Sequence, residues 1–391
     1  MGDPVLNKTM GNASQHECGL VLSGGGARAA YQVGVLRAIA EVLPAQMQNP
    51  FGVVTGTSAG AFNAAAIATH AFDFREAVES IENVWANFRS DQVYRTDSSR
   101  FYRNAGRWIT SLIKGSDDPV SLLDNTPLRE LVERAIPFYR IQEAIDQGFL
   151  RAISITASGY TSGESISFFQ GQSDYHNWER SRRLGVKTEI TIDHVMASSA
   201  IPLIFPAVRI NREFFGDGAI RQTAPVSSAL HLGADRVFII GVSGNRTAPQ
   251  IRQKVSVYPS MAQIVGHVMN SAFLDSLEGD IERLARINNT IELIPENVRE
   301  RNGIKLRPIG VMTVSPSQCL DKIAAQHVYE IPKNVSLFLR GSGVSNQSGA
   351  SILSYLLFEK GFCRELIDLG YHDAMLRKNE IVDFIFDPLD D

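Results

Sequence analysis

A serine between glycines is the first candidate for chemistry. The run Gly56-Thr57-Ser58-Ala59-Gly60 fits the pattern G-x-S-x-G, in which a serine hydroxyl attacks esters. An apolar segment precedes the run and an alanine-rich segment follows it. We therefore expect Ser58 at a sharp turn between a strand and a helix, where the helix N-terminus favours developing negative charge. A pattern this short also fits a simple strand-to-helix connection, in which the glycines allow the turn and the serine caps the helix.

Three successive glycines are the second candidate. Gly24-Gly25-Gly26 lies just before Arg28 and a helical pattern. Backbone N–H groups that no side chain shields make an anion cradle, suited to an oxyanion or to a phosphate. The spacing Gly24-x-Gly26-x-x-Ala29 also matches a dinucleotide fingerprint. That motif needs an acid at the end of the second strand, and because Thr55-Gly56 stands there, we reject it.

A serine nucleophile needs a proton acceptor. Asp217 lies between Gly216 and Gly218, after a predicted hairpin. An aspartate between glycines is commonly a turn residue, and it can also be a carboxylate that small neighbours hold close to a substrate. No histidine has a sequence setting that marks it as the base, and each is read as a surface or structural residue: His16, His70, His176, His194, His231, His267, His327 and His372.

Three blocks together resemble the signature of the patatin-like phospholipase family, especially its bacterial members. They are Gly24 to Arg28, Gly56 to Gly60, and Asp217-Gly218-Ala219. Their order and wide spacing match the family as well, and the resemblance covers about residues 19 to 242. Each block is weak alone, whereas the three jointly are specific.

The resemblance implies a Ser–Asp dyad without a histidine. Ser58 would be the nucleophile and Asp217 the base. The oxyanion hole would consist of the backbone amides of Gly24, Gly25 and Gly26, with Arg28 supporting it. The remaining motif positions are Gly56, Gly60, Gly218 and Ala219. Neither a metal ion nor a cofactor is implied.

Apolar segments and helical patterns alternate along the chain. The first 90 residues read as strand, helix, strand, helix, with Asp73 capping a further helix that reaches Phe88. This alternation predicts a three-layer α/β fold, in which a mostly parallel central sheet carries helices on both faces. Thr126 is the expected cap of a helix with Pro127 at its first position. Near the C-terminus we expect two helices that break near Gly370.

Composition suggests four segments. Residues 1–17 read as a flexible arm and 18–257 as the hydrolase domain. Within that domain, 89–150 interrupts the alternation and is predicted to be a lid or an interfacial insertion. Residues 258–391 read as a mainly helical C-terminal extension that packs on the core.

Residues 89–115 carry six basic residues and two acidic ones, interleaved with aromatic residues. The aromatics are Tyr94, Phe101, Tyr102 and Trp108. Basic groups for lipid head groups and aromatics for the boundary are typical of an interfacial anchor, which predicts peripheral membrane contact. The competing interpretation is a solvated face of Arg100, Arg103 and Arg107 at helical spacing, with the aromatics packed inward as core.

Charge and cysteine content exclude several classes of protein. With 38 basic and 42 acidic residues the net charge is −4, which argues against a protein built to hold nucleic acid. No apolar run approaches the length needed to span a bilayer. Cys18, Cys319 and Cys363 are widely spaced and indicate neither a disulfide framework nor a zinc site. We expect a cytoplasmic protein, in peripheral contact with the inner face of the membrane.

The predicted function is lipid acyl hydrolysis. A serine esterase of the phospholipase A or lysophospholipase type would cleave fatty-acyl esters of phospholipids or lysophospholipids through an acyl-enzyme. Two alternatives remain open at this point. One is a lipid- or partner-binding protein that does not turn over, and the other is a nucleotide-responsive regulatory protein that uses the glycine cradle.

Overall fold

A computed structural model describes residues 18–95, 106, 121–244, 264, 267–268, 270–271, 276–304, 306–332 and 350–386. Its strands form one ten-stranded sheet in the order β10-β9-β1-β2-β3-β4-β6-β5, to which β7 and β8 attach as a hairpin beside β3. The strands are β1 Cys18–Leu22, β2 Val53–Thr57, β3 Ala152–Gly159, β4 Ser165–Gly171, β5 Trp178–Arg180, β6 Arg183–Lys187, β7 Val208–Ile210, β8 Glu213–Asp217, β9 Arg236–Ile240 and β10 Gly310–Val314.

Strands β10, β9, β1, β2 and β3 run parallel to one another, while β4 and β8 pair antiparallel with β3. The helices among the described residues are α1 Ala30–Val42, α2 Ala59–Thr69, α3 Phe74–Trp85, α4 Thr126–Ala135, α5 Arg140–Asp146, α6 Ile192–Ser198, α7 Ser227–His231, α8 Ser276–Glu292, α9 Glu296–Arg301, α10 Leu320–Gln326, α11 Ala350–Leu356, α12 Lys360–Met375 and α13 Lys378–Phe386. Along the part of the chain that is described, no helix is both long and apolar enough to cross a bilayer.

The sheet has an apolar core on each face, which confirms the three-layer prediction. In β1, Leu20 and Leu22 belong to the larger hydrophobic cluster and Val21 belongs to the second one. Because successive side chains of a strand point to opposite faces, a strand that is apolar throughout must be covered on both. Helix α8 covers the second face with Leu277 and Leu284.

The C-terminal region packs into the core of the domain. It supplies the edge strand β10 and the helix α12, which packs along α1. A Cβ on Gly34 would lie 1.9 Å from the carbonyl oxygen of Ile367, and a Cβ on Gly370 would lie 2.2 Å from that of Tyr31. The prediction of a helix break near Gly370 is wrong, since this glycine lies inside α12 and allows two helix backbones to touch.

Two helix starts test the capping predictions. The carboxylate of Asp73 accepts a hydrogen bond from the N–H of Glu76 at 3.0 Å, which confirms the predicted cap of α3. Helix α4 has Asn125 as its N-cap and Thr126 as its first residue. The cap predicted at Thr126 is therefore wrong by one residue, since Thr126 is already inside the helix. Both the N–H and the hydroxyl of Thr126 donate to Asp124.

The structure describes only residues 89–95 and Gly106 of the basic segment 89–115, so Arg100, Arg103, Arg107, Phe101, Tyr102 and Trp108 lie outside the described residues. Tyr94 is buried completely, and its hydroxyl donates to the carbonyl oxygen of Leu356 at 3.2 Å. For this aromatic, the inward-packed interpretation is correct, because a buried ring has no surface to offer to a membrane.

Candidate active site

Ser58 lies at the turn between β2 and α2. Its backbone has φ 54° and ψ −130°, a left-handed conformation that costs a non-glycine residue on the order of 1–3 kcal/mol. The flanking glycines are needed because the chain passes so close to its neighbours. A Cβ on Gly56 would lie 2.4 Å from the carbonyl oxygen of Gly60, and a Cβ on Gly60 would lie 2.4 Å from that of Leu22.

Two serines at the C-terminal end of α6, Ser198 and Ser199, hold this strained turn in place. The N–H of Ser58 donates to Oγ of Ser198 at 2.8 Å, and Ser198 donates in turn to the carbonyl oxygen of Thr156 at 2.6 Å. Oγ of Ser199 donates to the carbonyl oxygen of Ser58 at 3.1 Å. These contacts fix both sides of the Ser58 backbone and so offset the cost of its conformation.

Strand β3 aligns Ser58 with Asp217. Its Thr156 pairs with Thr57 at the end of β2, and the next residue, Ala157, pairs with Asp217 at the end of β8. Strands β2 and β8 pair with consecutive parts of the same edge of β3. Ser58, which follows Thr57, therefore lies next to Asp217, the last residue of β8. Two positions 159 residues apart in sequence are thus brought together by the register of one strand.

Ser58 and Asp217 form a short hydrogen bond in a buried setting. Oγ of Ser58 donates to Oδ2 of Asp217 at 2.6 Å, while Oδ1 accepts the N–H of Ala219 at 2.9 Å. Asp217 is 0% exposed and Ser58 is 2% exposed. Burial raises the pKa of Asp217 to about 7, although the hydrogen bonds from Ser58 and Ala219 act in the opposite direction. A carboxylate with this pKa can take up a proton near neutral pH.

The glycine loop lies directly against this pair. A Cβ on Gly24 would stand 2.9 Å from Cβ of Ser58, so only glycine fits there. Gly26 has φ +56°, and its Cβ would lie 2.2 Å from the carbonyl oxygen of Tyr355. Within the described ranges, the N–H groups of Gly24, Gly25 and Gly26 donate to no other group. Unpaired donors beside a serine hydroxyl form a cradle for negative charge.

Arg28 connects the glycine loop to the C-terminal region. Its buried guanidinium donates to Oγ of Ser354 at 2.8 Å and to Oδ1 of Asp321 at 2.6 Å. It also stacks 4.2 Å from the ring centroid of Tyr355. The positive charge of Arg28 is therefore paired, and its contacts place α10 and α11 against the loop.

An apolar cavity of about 40 Å³ adjoins Ser58. Apart from Gly26, Ser58 and Ser199, its walls are hydrophobic. They comprise Ala59, Phe62, Trp85, Phe88, Val93, Leu128, Val132, Val195, Ile201, Phe205 and Phe358. An apolar space beside a serine hydroxyl can accept an apolar part of a ligand.

In the described part of the chain, no histidine hydrogen-bonds to Ser58 or Asp217. His194 is buried next to Phe168, and its Nδ1 accepts the N–H of Thr191 at 3.0 Å. Burial lowers its pKa to about 4. His231 stacks on Trp178, and burial together with nearby arginines lowers its pKa to about 4 as well. The described residues also contain no group of three or more His, Cys, Asp or Glu side chains arranged to hold a metal ion.

A family model described as Patatin-like phospholipase matches residues 20–230, more than half of the chain. The chain belongs to the patatin-like phospholipase family. The matched region contains Ser58, Asp217 and the glycine loop. The partners of the Arg28 side chain, namely Asn270, Asp321, Ser354 and Tyr355, lie outside it, as does Phe358 of the cavity wall.

The chain is similar to a curated relative and to two solved structures. A "cGAMP-activated phospholipase" of Pseudomonas aeruginosa (strain BWHPSA011 / Pa011) is 26% identical over 215 residues, which is 54% of this chain and 55% of the relative. The match thus spans about half the length of that relative. VipD from Legionella pneumophila aligns over 93% of this chain and 67% of its own, with 14% identity and a TM-score of 0.37. The type III effector ExoU aligns over 86% and 78%, with 13% identity and a TM-score of 0.21.

The sequence alone assigned no role to several residues that contact the site. Ser198 and Ser199 lie in a stretch that itself resembles the family, which is the signal that could have found them. Asp321 and Ser354 lie far from the motifs in sequence, and Ser354 lies within the largely apolar run from Ile352 to Phe358. Nothing local in the sequence marks them, since their importance comes from contacts with Arg28 across the fold.

Proposed function

We propose that this chain is a lipid acyl hydrolase of the phospholipase A or lysophospholipase type, with Ser58 as nucleophile and Asp217 as base. The observation that carries the proposal is the buried 2.6 Å hydrogen bond between these two side chains, next to an apolar cavity. Membership of the patatin-like phospholipase family supports a lipid as the substrate.

Acylation would begin with the transfer of the Ser58 hydroxyl proton to Oδ2 of Asp217. Oγ attacks the ester carbonyl carbon, and the carbonyl oxygen becomes an oxyanion. The leaving alcohol departs with the proton from Asp217; it is a lysophospholipid when the substrate is a phospholipid and a glycerophosphodiester when the substrate is a lysophospholipid. The acyl chain stays on Ser58 as an ester. In the second half-reaction Asp217 takes a proton from water, the resulting hydroxide attacks the acyl-enzyme, and the fatty acid leaves as Ser58 recovers its proton.

The glycine loop would stabilise the oxyanion. The N–H groups of Gly24, Gly25 and Gly26 are unpaired within the described chain and lie beside Ser58. In other serine hydrolases, the loss of a single such donor costs roughly 10²–10³ in kcat. In this proposal Arg28 contributes by position rather than by charge, because Asp321 already pairs with its guanidinium.

The direct test is mass spectrometry of the products released from a mixed panel of phospholipids and lysophospholipids, with the Ser58→Ala protein as control. We expect free fatty acid from the wild type and none from the variant. The panel should be run with and without cGAMP, because the Pseudomonas relative is by its name activated by that nucleotide. No fatty acid under either condition, or equal amounts from both proteins, would refute the proposal.

Removing the ion pair of Arg28, or its side chain, should slow the reaction without abolishing it. We expect Asp321→Asn and Arg28→Ala to lower kcat on a soluble ester by up to about a hundredfold, since small displacements of a catalytic group have effects of that size. KM should change little, because neither residue lines the apolar cavity. Arg307→Ala is a control for the loss of an arginine ion pair, because Arg307 pairs with Asp235 just before β9 begins, at the other end of the parallel strands from Ser58. Full-rate turnover by Arg28→Ala would remove this residue from the site.

The cavity wall should set the preferred acyl length. Val132→Phe fills the cavity, and we expect kcat/KM for long-chain p-nitrophenyl esters to fall relative to the butyrate. Each methylene that no longer fits costs about 0.8 kcal/mol, or roughly fourfold. Phe205→Val opens the same wall and should shift the ratio toward longer chains. If the two variants move the ratio in the same direction, or leave it unchanged, the acyl chain does not bind there.

A further inference from the structure

A hairpin extends past the active-site edge of the sheet. Strand β2 ends opposite Thr156, but β3 continues to Gly159 and pairs with β8 over that extra length. Because β8 runs antiparallel to β3, its first residues lie beyond the end of β3. At about 3.4 Å per residue, the turn at Asn211-Arg212 stands roughly 17–20 Å beyond Asp217.

Large apolar side chains on this edge are exposed to solvent. Tyr160 is 53% exposed, Phe214 is 49% exposed and Ile220 is 41% exposed. Tyr160 and Phe214 are close together, since the N–H of Tyr160 donates to the carbonyl oxygen of Phe214 and the Tyr160 ring covers Gly216. Ile220 follows Asp217 by three residues. Burial and, after it, the charge of Asp217 raise the pKa of Tyr160.

Exposed arginines surround these apolar side chains. Arg209 pairs with Phe214 across the hairpin, Arg212 lies at its turn, and the Arg221 guanidinium lies beside Gly163. Within the described ranges, none of the three forms a salt bridge, and Arg209 donates only to a backbone carbonyl oxygen. The nearest acid of the hairpin, Glu213, is occupied by the N–H groups of Thr161 and Ser162.

We propose that this surface, formed by Tyr160, Arg209, Arg212, Phe214, Ile220 and Arg221, docks the protein on an anionic lipid surface. Unpaired arginines would contact head groups, and the exposed rings would enter the boundary with the acyl chains. The inference rests on the proposed lipid substrate. It adds the source of that substrate, a membrane or vesicle surface, and the face that meets it, next to Asp217.

Co-sedimentation with vesicles tests the proposal. The full chain carrying Ser58→Ala is used, so that the lipid is not consumed, with phosphatidylcholine vesicles and with vesicles that also contain phosphatidylserine. We expect binding to the anionic vesicles alone, and release at high salt. Arg209→Gln with Arg212→Gln should weaken this binding by about thirtyfold, given the effect of two basic residues near an anionic surface. Phe214→Gln should weaken it as well.

Matched controls remove equivalent side chains elsewhere. Arg286→Gln with Arg301→Gln neutralises two exposed arginines of α8 and α9, and Leu293→Gln replaces an exposed leucine. Both controls should bind like the parent protein. Equal loss in the controls, full binding by the hairpin variants, or no preference for anionic vesicles would overturn the proposal. So would loss of binding confined to an Arg100→Ala, Arg103→Ala, Arg107→Ala variant, which would place the contact in residues 89–115.

The same proteins distinguish the other ways in which the inference can fail. If Phe214→Gln abolishes a dimer in light scattering while vesicle binding persists, the surface binds a second copy and the proposal is wrong. Hydrolysis of a soluble short-chain ester by the Ser58-containing protein is measured alongside. Ester hydrolysis without vesicle binding would contradict only the docking surface, whereas vesicle binding without hydrolysis of any ester would contradict only the proposed function.

Discussion

Replacing Ser58 by alanine is expected to abolish ester hydrolysis while the protein remains folded. The change removes one oxygen atom, the donor of the 2.6 Å hydrogen bond to Asp217. In serine hydrolases the loss of the nucleophile lowers kcat by on the order of 10⁴–10⁶. Turnover of a p-nitrophenyl ester and labelling by a serine-directed phosphonate are the measurements. Wild-type turnover by Ser58→Ala would refute Ser58 as the nucleophile.

A glycine at the same position is the matched control. Both Ser58→Ala and Ser58→Gly lack the hydroxyl, so both should be inactive. They differ in the backbone, because φ 54° strains alanine but not glycine. We expect the glycine variant to unfold at the higher temperature, by an amount equivalent to about 1 kcal/mol. Equal unfolding temperatures would show that the turn at Ser58 is not strained.

Asp217→Asn should lose activity nearly as completely as Ser58→Ala. The amide has almost the same shape, yet it cannot accept the serine proton. Unlike Arg28→Ala, it should also severely slow phosphonate labelling of Ser58, since the nucleophile is no longer activated. His194→Ala and His231→Ala are the controls, because these histidines are buried or stacked elsewhere. A folded His194→Ala or His231→Ala protein that is as inactive as Asp217→Asn would replace the dyad with a triad.

Because the pKa of Asp217 is raised, the rate of ester hydrolysis should depend on pH in a specific way. Only the deprotonated carboxylate acts as a base, and burial raises its pKa to about 7. The rate on a soluble ester should therefore climb by about tenfold per pH unit below pH 7 and level off above it. An ordinary exposed aspartate would give a plateau that begins near pH 4. A rate that does not change between about pH 5 and pH 8 would contradict the role of Asp217.

Local sequence signals predicted the elements that depend on local physics. Asp73 caps α3 because its carboxylate reaches an N–H three residues on, which is visible in the sequence. The helix break predicted at Gly370 is wrong, because a glycine can either end a helix or let another helix approach. Only the backbone of α1, more than 300 residues earlier, determines that it does the second.

The candidate site likewise contains residues that the sequence predicted and contacts that only the structure shows. The glycine loop, the Ser58 turn and Asp217 are short motifs whose residue types already restrict the backbone and the chemistry. Their approach to one another was expected only from the family resemblance. The partners of Arg28 are different, since Asp321 lies 293 residues away and no pattern accompanies it. The cavity was likewise invisible, because α2, α4 and residues after α11 each contribute only one or a few of its side chains.

By itself the sequence determined the α/β class, through its alternation of apolar strands and amphipathic helices, and it supplied the candidate residues for attack on an ester. These properties reside in residue types and short spacings, which act within a few residues along the chain. Only the tertiary structure placed Asp217, which the family resemblance names, in a fully buried setting that raises its pKa to about 7. It also decided that the C-terminal helices brace the glycine loop and that arginines and exposed rings share one edge. Strand register and helix packing produce these arrangements, and both arise only when distant segments bury their apolar faces together.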